Sequence, residues 1–345
     1  MEIKVAIVIL NWNGIKFLEQ FLPSVVKYSE KSGNKIVIAD NDSKDDSVNF
    51  ILKNYPQIEI IKLKKNYGFA KGYALTLPQI KAEYYVLLNS DVEVTQGWIE
   101  PIIHLMDNDG KIGAAMPKIM AFHRKEYFEY AGAAGGFIDK YGYPFCQGRI
   151  LNNIEKDFGQ YNQLTEIFWA SGACMFLRAS AYIKTGGFDG DFFAHMEEID
   201  LCWRLKRLEY KVFYCPDSLI YHVGGGTLPN NNPRKLYYNY RNCLFLLFKN
   251  VNAGDFLKIL LPRMLLDGLS ATIYLLQGKF SFFMAVVRAH LRFYCSLKML
   301  INKRRIFNKI IAKKSVSQIY NGSIVLNFFL RNVRTFKDLN NWKQI

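Results

Sequence analysis

The chain has 345 residues, of which half are hydrophobic and 22% are charged, so it can bury the core of one large or two modest domains. Its formal net charge is +15, and the C-terminal third carries this excess. Residues 234–345 hold 20 Lys and Arg against 3 Asp and Glu, whereas residues 1–233 hold 25 against 27. The contrast predicts a functional boundary between residues 230 and 250. The basic end contains no motif that reads nucleic acid, so we expect no nucleic-acid partner.

Four short apolar runs occur near the start of the chain, and helix-like stretches separate them. The runs occupy residues 5–10, 35–40, 58–63 and 84–91, and the helical stretches cover 15–30, 45–54 and 68–82. Strands that are apolar throughout and alternate with helices are typical of a parallel sheet that is covered on both faces. The sequence therefore predicts an α/β fold with an open, mostly parallel sheet flanked by helices.

Polar residues follow each of these apolar runs. They are Asn11 and Asn13 after the first, Asp40 after the second, Asn66 after the third, and Asn89 and Asp91 after the fourth. Ordinary turns explain any one of these sites, but four polar strand ends at one edge of a parallel sheet indicate a ligand crevice. The absence of GxGxxG and P-loop motifs disfavours a dinucleotide-dependent dehydrogenase or a P-loop phosphotransferase. Oxygen-rich strand ends suit Mg²⁺ or Mn²⁺ that bridges substrate phosphates.

Three carboxylates, Glu197, Glu198 and Asp200, occur in the otherwise apolar stretch 192–210. One interpretation is that a helix begins here and its first-turn acids offset the backbone dipole. The other is that one carboxylate points into a cleft and takes part in chemistry. On a helix, Glu198 shares a face with Leu205 that should be buried, whereas Glu197 and Asp200 lie on a different face. The pattern favours Glu198 as the reactive carboxylate.

Residues 256–301 are very apolar, yet charged residues such as Arg263 and Asp267 interrupt them. The longest uncharged gap, 268–278, falls short of the roughly 20 residues that a membrane span needs, so we expect no span. Apolar helices with regularly placed basic residues suit an anionic membrane surface, although the same helices could instead pack on the protein. The six cysteines form no CxxC pair, which indicates a reducing compartment.

The sequence resembles a family-2 glycosyltransferase with the GT-A fold, and five motifs carry the resemblance in order. They are the opening strand VAIVILNWNG, the second strand VIADNDSKDDS, the loop NYGFAKGYA, the DxD-type segment LLNSDV, and a block that runs from WASGAC to YHVGGGT. The likeness is greatest to the rhamnosyltransferase-like group that builds bacterial surface polysaccharides. It implies a GT-A domain over residues 1–245 and a helical, basic, membrane-surface region over residues 246–345.

The resemblance also implies roles for individual residues. Those expected to bind the nucleotide sugar are Asn11, Asn13, Asp40, Asn66, Lys71, Asn89 and Asp91. Those expected on the acceptor side are Trp169, Gly172 and Glu197. Asp91 and His222, which precedes Gly224–Gly226, would hold Mg²⁺ or Mn²⁺, and Glu198 would be the catalytic base.

Together these roles imply a metal-dependent, inverting transfer of a hexosyl or deoxyhexosyl group. The donor would be a nucleoside-diphosphate sugar such as a UDP- or dTDP-sugar, and the acceptor a lipid-linked or other glycan. The enzyme would lie in the cytoplasm, peripheral on the inner face of a bacterial cell membrane.

Two positions depart from the family pattern. Asn89 stands where the first acid of the DxD motif is usual, which leaves Asp91 as the charged ligand of that segment. Glu197-Glu198 stands where Glu-Asp is usual, which gives the base one more methylene of reach. Two other classes remain open from the residues: a nucleotidyltransferase with a similar sheet, and a non-catalytic protein that binds membrane or nucleotide.

Overall fold

The computed structural model describes residues 3–224, 232–310 and 316–339. The strands are β1 (Ile3–Asn11), β2 (Asn34–Asp40), β3 (Glu59–Lys62), β4 (Ala82–Leu88), β5 (Val92–Val94), β6 (Ile112–Ala121), β7 (Arg124–Phe128), β8 (Gly136–Asp139), β9 (Pro144–Cys146), β10 (Arg149–Ile150), β11 (Asn153–Ile154), β12 (Thr165–Glu166), β13 (Cys174–Arg178), β14 (Lys211–His222) and β15 (Ile319–Tyr320).

The helices follow the same chain order. They are α1 (Ile15–Ser29), α2 (Ser47–Asn54), α3 (Gly68–Thr76), α4 (Glu100–Asn108), α5 (Ala179–Lys184), α6 (Glu197–Arg207), α7 (Pro233–Asn250), α8 (Phe256–Leu276), α9 (Phe280–Cys295), α10 (Leu297–Ile310) and α11 (Ile324–Leu330). Short 3-10 turns cover Leu77–Gln79, Gly190–Phe192 and Phe336–Asp338. Of the predicted glycine loop after His222, Gly225 and Gly226 lie outside the described residues.

The first four strands form the parallel part of the main sheet, in the order β3-β2-β1-β4. The apolar runs become central strands because both of their faces are covered; residues 5–9 of β1, for example, are at most 1% exposed. The predicted elements agree with the observed ones to within a few residues, except that α3 ends at Thr76. The helix changes there to a 3-10 turn that contains Pro78, which has no amide N–H to continue the helical hydrogen bonds.

The second half of the main sheet is mixed. β13 pairs antiparallel with both β4 and β6, and β14 runs parallel to β6. β12, β5 and β7 join at the periphery in antiparallel pairs. The predicted α/β fold is therefore confirmed, with parallel pairing at one side of the sheet and antiparallel pairing near its centre. A smaller sheet, ordered β11-β10-β9-β8-β15, lies beside it.

The C-terminal helices share one hydrophobic core with the sheets. Leu260, Phe293, Leu300 and Phe328 belong to the same buried cluster as the central strands, and β15 extends the smaller sheet by pairing with β8. The predicted boundary at residue 245 falls inside α7, which packs against both α6 and α9. How the chain divides into functional units stays a prediction.

Helix α8 differs from what the sequence led us to expect. Among the described residues it is the one helix long and apolar enough to cross a membrane by length and composition, a test that core helices of soluble proteins also pass. We had expected no such segment because Arg263 and Asp267 interrupt the apolar run. In the structure these two residues pair with each other, Nε to Oδ1 at 2.8 Å, and both are buried against the protein.

Candidate active site

The carboxyl ends of β1 and β2 present two buried oxygen acceptors side by side. Asn11 and Asp40 are partners in the parallel register of these strands and are 0% and 4% exposed. Ser43 binds both, through Asn11 Nδ2 at 3.1 Å and Asp40 Oδ2 at 3.2 Å. Asn11 Oδ1 and Asp40 Oδ1 have no hydrogen-bond partner among the described residues. Because an unpaired buried acceptor is costly, these two oxygens are well placed to receive N–H or O–H groups of a ligand.

The loops after β2 and β3 are tied together by an asparagine that we had not singled out. Asn41 Nδ2 donates to Asn66 Oδ1 at 3.1 Å, and Asn41 Oδ1 accepts from the backbone of Tyr67 at 2.9 Å. Asn66 is thereby held in the crevice as expected. Lys71 is exposed, with its Nζ 5.3 Å from the centre of the Tyr67 ring. Asn13 adopts a left-handed φ of 50°, and its Oδ1 accepts from the backbone of Lys44 at 2.7 Å.

The turn after β4 meets the end of β14. β5 pairs with β14 so that Val92 lies opposite His222, which brings Asp91 Oδ1 to 3.2 Å from His222 Nε2. Asn89 Nδ2 lies 3.4 Å from the same ring nitrogen. The other ring nitrogen, Nδ1, is 3.4 Å from Glu129 Oε2. The structure therefore brings together Asn89, Asp91 and His222, as predicted, and adds Glu129.

Burial and the neighbouring charges shift the pKa values of His222 and Asp91 in opposite directions. Burial alone would lower the pKa of His222, but Glu129 and Asp91 raise the pKa of His222 to about 10. For Asp91, burial acts in the other direction and raises the pKa. The charge and hydrogen bond of His222 outweigh burial, so the pKa of Asp91 lies below its usual range. Asp91, His222 and Glu129 are at most 7% exposed. The cluster thus keeps ionised groups in a buried site, which a neutral core would not do.

Asp91 and the neutral form of His222 fit two adjacent ligand positions of a divalent cation, and the proton that His222 Nε2 holds in the metal-free cluster would have to leave when the metal binds. Adjacent ligands of an octahedral ion, each at about 2.1 Å, lie about 3 Å apart, close to the 3.2 Å between their nearest atoms. Glu129 would then hold the far ring nitrogen of His222, the arrangement that usually orients a metal-binding imidazole. No group of three or more His, Cys, Asp or Glu side chains within the described residues is arranged to hold a metal. The remaining ligands would have to come from substrate phosphates and water.

Helix α6 is preceded by a strained loop that α7 holds in place. Phe193, His195 and Met196 have φ values of 65°, 70° and 71°, each of which costs about 1–3 kcal/mol and persists where the surroundings enforce it. The Nδ2 atom of buried Asn242 lies 2.7–2.9 Å from three carbonyl oxygens of this loop. The carbonyl of Phe193 accepts from the backbone of Ala70 at 3.1 Å. The start of α6 therefore borders the loop expected to bind the nucleotide.

The two glutamates that open α6 have buried oxygen atoms without hydrogen-bond partners among the described residues. These atoms are Glu197 Oε2 and Glu198 Oε2. Burial, partly offset by backbone hydrogen bonds, raises the pKa of Glu198 to about 7. Burial and the neighbouring charge of Glu198 raise the pKa of Glu197 well above its usual range. Burial therefore favours the protonated form of both glutamates, and a pKa of about 7 lets Glu198 exchange its proton near neutral pH, as a general base must.

Asp200, only one turn further along, is fully paired. Its Oδ2 contacts Arg204 and Lys249, and its Oδ1 accepts from Asn250 Nδ2, all at 2.9 Å. Burial raises its pKa, but the charges of Lys249 and Arg204 outweigh burial and lower the pKa of Asp200. The expectation that only the Glu198 face of the helix is buried is wrong. Glu197 and Asp200 are 4% and 0% exposed because α7 covers their side of α6, whereas Glu198 is half-buried.

Of two further residues expected on the acceptor side, Trp169 lies within the packed interior and Gly172 is half-buried. Trp169 is 4% exposed, and its Nε1 donates to the carbonyl of Phe137 at 2.8 Å. Its ring packs on Gly136, where a Cβ would come within 2.1 Å of the ring. Gly172 allows close approach of Phe69, whose ring is 3.0 Å from the position of a Cβ. A sugar could stack on Trp169 only after neighbouring residues move, so its acceptor role stays a prediction.

Glu129 and Asn242 are the residues of this site that the sequence did not reveal. Neither belongs to a motif, because each acts across a long sequence separation on a residue that does: Glu129 on His222 and Asn242 on the loop before α6. Asn41 had a usable signal, since it follows Asp40 directly at a strand end.

The fold and the polar strand ends suit a transferase that binds a nucleotide at the sheet edge, and comparison with known proteins identifies the family. Residues 6–186, slightly more than half of the chain, match the model of glycosyl transferase family 2. The chain belongs to that family.

Relatives of the chain include two rhamnosyltransferases. The chain is 24% identical to the N-acetylglucosaminyl-diphospho-decaprenol L-rhamnosyltransferase of Mycobacterium tuberculosis, over 59% of this chain and 71% of the relative. It is also 24% identical to the rhamnosyltransferase WbbL of Escherichia coli, over 53% of this chain and 70% of the relative. The chain is thus rhamnosyltransferase-like within family 2, as its motifs indicated.

Solved structures support the GT-A fold. The mannosyltransferase PcManGT of Pyrobaculum calidifontis, solved with GDP-Man and Mn²⁺, superposes with a TM-score of 0.53 at 11% identity and covers 85% of this chain and 88% of its own. GalNAc-T7, solved with UDP, GalNAc and Mn²⁺, gives a TM-score of 0.57 at 15% identity over 72% of this chain, which spans about half of that protein (48%). At these identities the likeness concerns the fold.

Proposed function

We propose that this glycosyltransferase moves a hexosyl or deoxyhexosyl group, with inversion, from a nucleoside-diphosphate sugar to a hydroxyl of a lipid-linked glycan. The observation that carries the proposal is Glu198. Its Oε2 is buried without a hydrogen-bond partner among the described residues, its pKa is raised to about 7, and it stands at the start of α6, after a loop that bonds to α3 through the carbonyl of Phe193. Its proton affinity suits the removal of a proton from an attacking hydroxyl at neutral pH.

The proposed step is one displacement at carbon coupled to one proton transfer. The acceptor oxygen attacks the anomeric carbon of the donor sugar, the bond from that carbon to the diphosphate oxygen breaks, and the hydroxyl proton passes to Glu198. The raised pKa of Glu197 favours its protonated form, in which it would donate a hydrogen bond without adding a second negative charge beside the base. The fixed loop before α6 keeps both glutamates in place, which limits the reorganisation needed to reach the transition state.

The departing nucleoside diphosphate would be bound by the strand ends. Asn11 and Asp40 offer free acceptors suited to the N–H or ribose hydroxyl groups of the nucleoside, and Asn66 and Lys71 line the next loop. Asp91 and His222 would hold Mg²⁺ or Mn²⁺, with Asn89 beside them and Glu129 behind. When bound, the metal neutralises charge on the diphosphate. PcManGT and GalNAc-T7, which share the fold, were both solved with Mn²⁺.

The acceptor and the cellular location follow from the relatives and from the charge of the chain. A relative in Mycobacterium tuberculosis is named for a diphospho-decaprenol acceptor, a lipid that stays in the membrane. Residues 234–345 carry a large excess of Lys and Arg, and each such residue near an anionic bilayer contributes about 1 kcal/mol to attraction. We therefore propose a peripheral enzyme on the cytoplasmic face of the membrane.

A panel of UDP-, dTDP- and GDP-sugars tests the donor class. Ligands that bind the folded protein raise its melting temperature, so the true donor should raise it in the presence of Mn²⁺. The stabilising donor is then incubated with a lipid-diphosphate-linked sugar, and the anomeric configuration of the product is read by NMR. Transfer with retention, or no stabilisation by any nucleotide sugar, would contradict the proposal.

The metal role is tested separately by calorimetry with the nucleoside diphosphate alone. We expect binding to require Mg²⁺ or Mn²⁺ and to weaken greatly in Asp91→Ala, because Asp91 is the charged ligand of the DxD-type turn. Equal affinity with metal and with EDTA would rule out the metal role while leaving the transfer reaction open.

A further inference from the structure

Helix α8 buries the charged residues at its middle, Arg263 and Asp267, and exposes a row of leucines, the reverse of what a helix on the surface of a soluble protein usually shows. We define its outer face as Leu257, Leu261, Leu265, Leu269, Ile273 and Leu276, which are 45–83% exposed. Every exposed residue of the helix beyond Lys258 is uncharged. Isolated exposed leucines are normal, but a continuous apolar face along a whole helix marks a surface that is covered when the protein works.

The inner face of α8 is anchored by a buried polar cluster. Arg263 stacks on the ring of Tyr143, 4.0 Å from its centre, and donates to the carbonyl of Tyr141 at 3.1 Å. Asp267 accepts from Tyr143 Oη at 3.3 Å and lies 3.2 Å from His290 Nε2. Breaking these contacts would leave buried charges unpaired, which is strongly destabilising. The cluster therefore fixes which face of α8 points outward.

We propose that the outer face of α8 lies in the plane of an anionic bilayer, with its leucines among the upper acyl chains. The proposal deepens the proposed function, because it specifies how the enzyme reaches an acceptor that stays in the membrane. An in-plane helix with an apolar face is a known means of interfacial attachment. Nothing else in the described residues presents so long a face without charge.

Charge favours a bilayer over a second copy of the chain as the occupant of this face. Lys258 and Lys279 flank the outer face in sequence, and residues 234–345 hold 20 Lys and Arg against 3 Asp and Glu. Two such regions brought face to face would repel each other, whereas anionic lipid headgroups attract them.

The inner cluster also favours an in-plane helix over a crossing one. Arg263 and Asp267 stand at the middle of α8 and contact Tyr141 and Tyr143, which lie next to the smaller sheet between β8 and β9. A crossing helix would place this middle, and the folded domain attached to it, at the bilayer centre. An in-plane helix keeps the cluster on the protein side and only the leucines in lipid.

The first test is vesicle flotation of the full chain with phosphatidylcholine vesicles that contain 30% phosphatidylglycerol. Leu265→Glu/Leu269→Glu should lower the partition coefficient by roughly 10²-fold, because two apolar insertions are lost. The matched control is Leu52→Glu/Leu164→Glu, at positions that are 55% and 52% exposed and lie outside the C-terminal helices. This variant should bind the vesicles as the wild type does. Equal binding by the α8 variant and the control would overturn the proposal.

Light scattering without vesicles distinguishes self-association. If the α8 variant turns a dimer into a monomer and leaves vesicle binding unchanged, a second copy covers the face and the proposal fails. Nucleotide-sugar binding is measured on the same variants in vesicle-free buffer. If neither the wild type nor any variant binds a nucleotide sugar, the proposed function is rejected. The membrane proposal is decided by vesicle binding alone.

The second test reports depth. Cys295 is the exposed cysteine and the other five are buried, so Leu265→Cys in a Cys295→Ser background allows one environment-sensitive dye to be attached to the outer face. We expect a blue shift on addition of vesicles and stronger quenching by lipids labelled near the headgroup than by lipids labelled at the chain end. Quenching that is strongest at the chain end would show a crossing helix, and no shift would show that the face stays in water.

Discussion

The first turn of helix α6 uses its carboxylates in two opposite ways. At the start of the turn, Glu197 and Glu198 each have a buried oxygen without a partner among the described residues, and the pKa of both is raised. At the end of the turn, Asp200 is held by Arg204 and Lys249, and its pKa is lowered. The same helix therefore carries one pair of acids left free to exchange protons and one acid fixed as an anchor.

The difference affects stability with opposite signs. Because the pKa of Glu198 is higher in the folded state, its contribution to stability is present below the usual glutamate pKa and is lost as pH rises through about 7. The pKa of Asp200 is lower in the folded state, so its contribution is present above the usual aspartate pKa and is lost in acid. The fold tolerates the unfavourable pair at neutral pH, which is typical of functional sites.

Of the variants that test this difference, exchange of Glu198 for glutamine should have the largest effect, and that effect is on turnover. Glu198→Gln removes the base but keeps the shape, so turnover should fall by roughly 10²- to 10⁴-fold. Glu197→Gln is the matched control: it makes the same change in the neighbouring carboxylate, to which we assign no proton removal, and the loss of turnover should be much smaller. Steady-state transfer assays with the identified donor measure both. If turnover falls more in Glu197→Gln than in Glu198→Gln, with donor binding intact, then Glu198 is not the base.

Removal of the anchor should affect stability. Lys249 is buried and joins Asp200 to Asp189, at 2.9 and 2.7 Å. Lys249→Met should lower the free energy of unfolding by about 3 kcal/mol, since each acid becomes less well paired but keeps another cation. Urea denaturation measures this, with Lys53→Met on the exposed side of α2 as the control. Equal stability of the two variants would mean that Lys249 is not part of the anchor.

Glu129 offers a finer test, because we place it behind His222 and away from the substrate. Glu129→Gln should weaken Mn²⁺ binding in the presence of nucleoside diphosphate by roughly 10- to 100-fold, since the His222 ring loses the group that orients it. Mn²⁺ titration followed by EPR measures the change, and Glu126→Gln, exposed on β7, is the control. Unaltered Mn²⁺ affinity in Glu129→Gln would assign Glu129 a role in packing only.

Local patterns in the sequence predicted the parts of the structure that depend on neighbouring residues. The apolar runs gave β1 to β4, and the polar residues after them gave the crevice that contains Asn11, Asp40 and Asn66. The burial of Glu197 and Asp200 could not be predicted, because it depends on α7, which begins more than 30 residues further along the chain. The same holds for Glu129 behind His222, and for Tyr141 and Tyr143, which hold the charges of α8 inward.

The central claim, that Glu198 acts as the base of sugar transfer, is tested most directly by the pH dependence of turnover at saturating donor, acceptor and metal. The base works only when deprotonated, and the pKa of Glu198 is raised to about 7 by burial. We predict that kcat rises about tenfold per pH unit below pH 7 and levels off above it. A kcat that is constant between pH 5.5 and 8, or one that falls as pH rises across this range, would contradict the account.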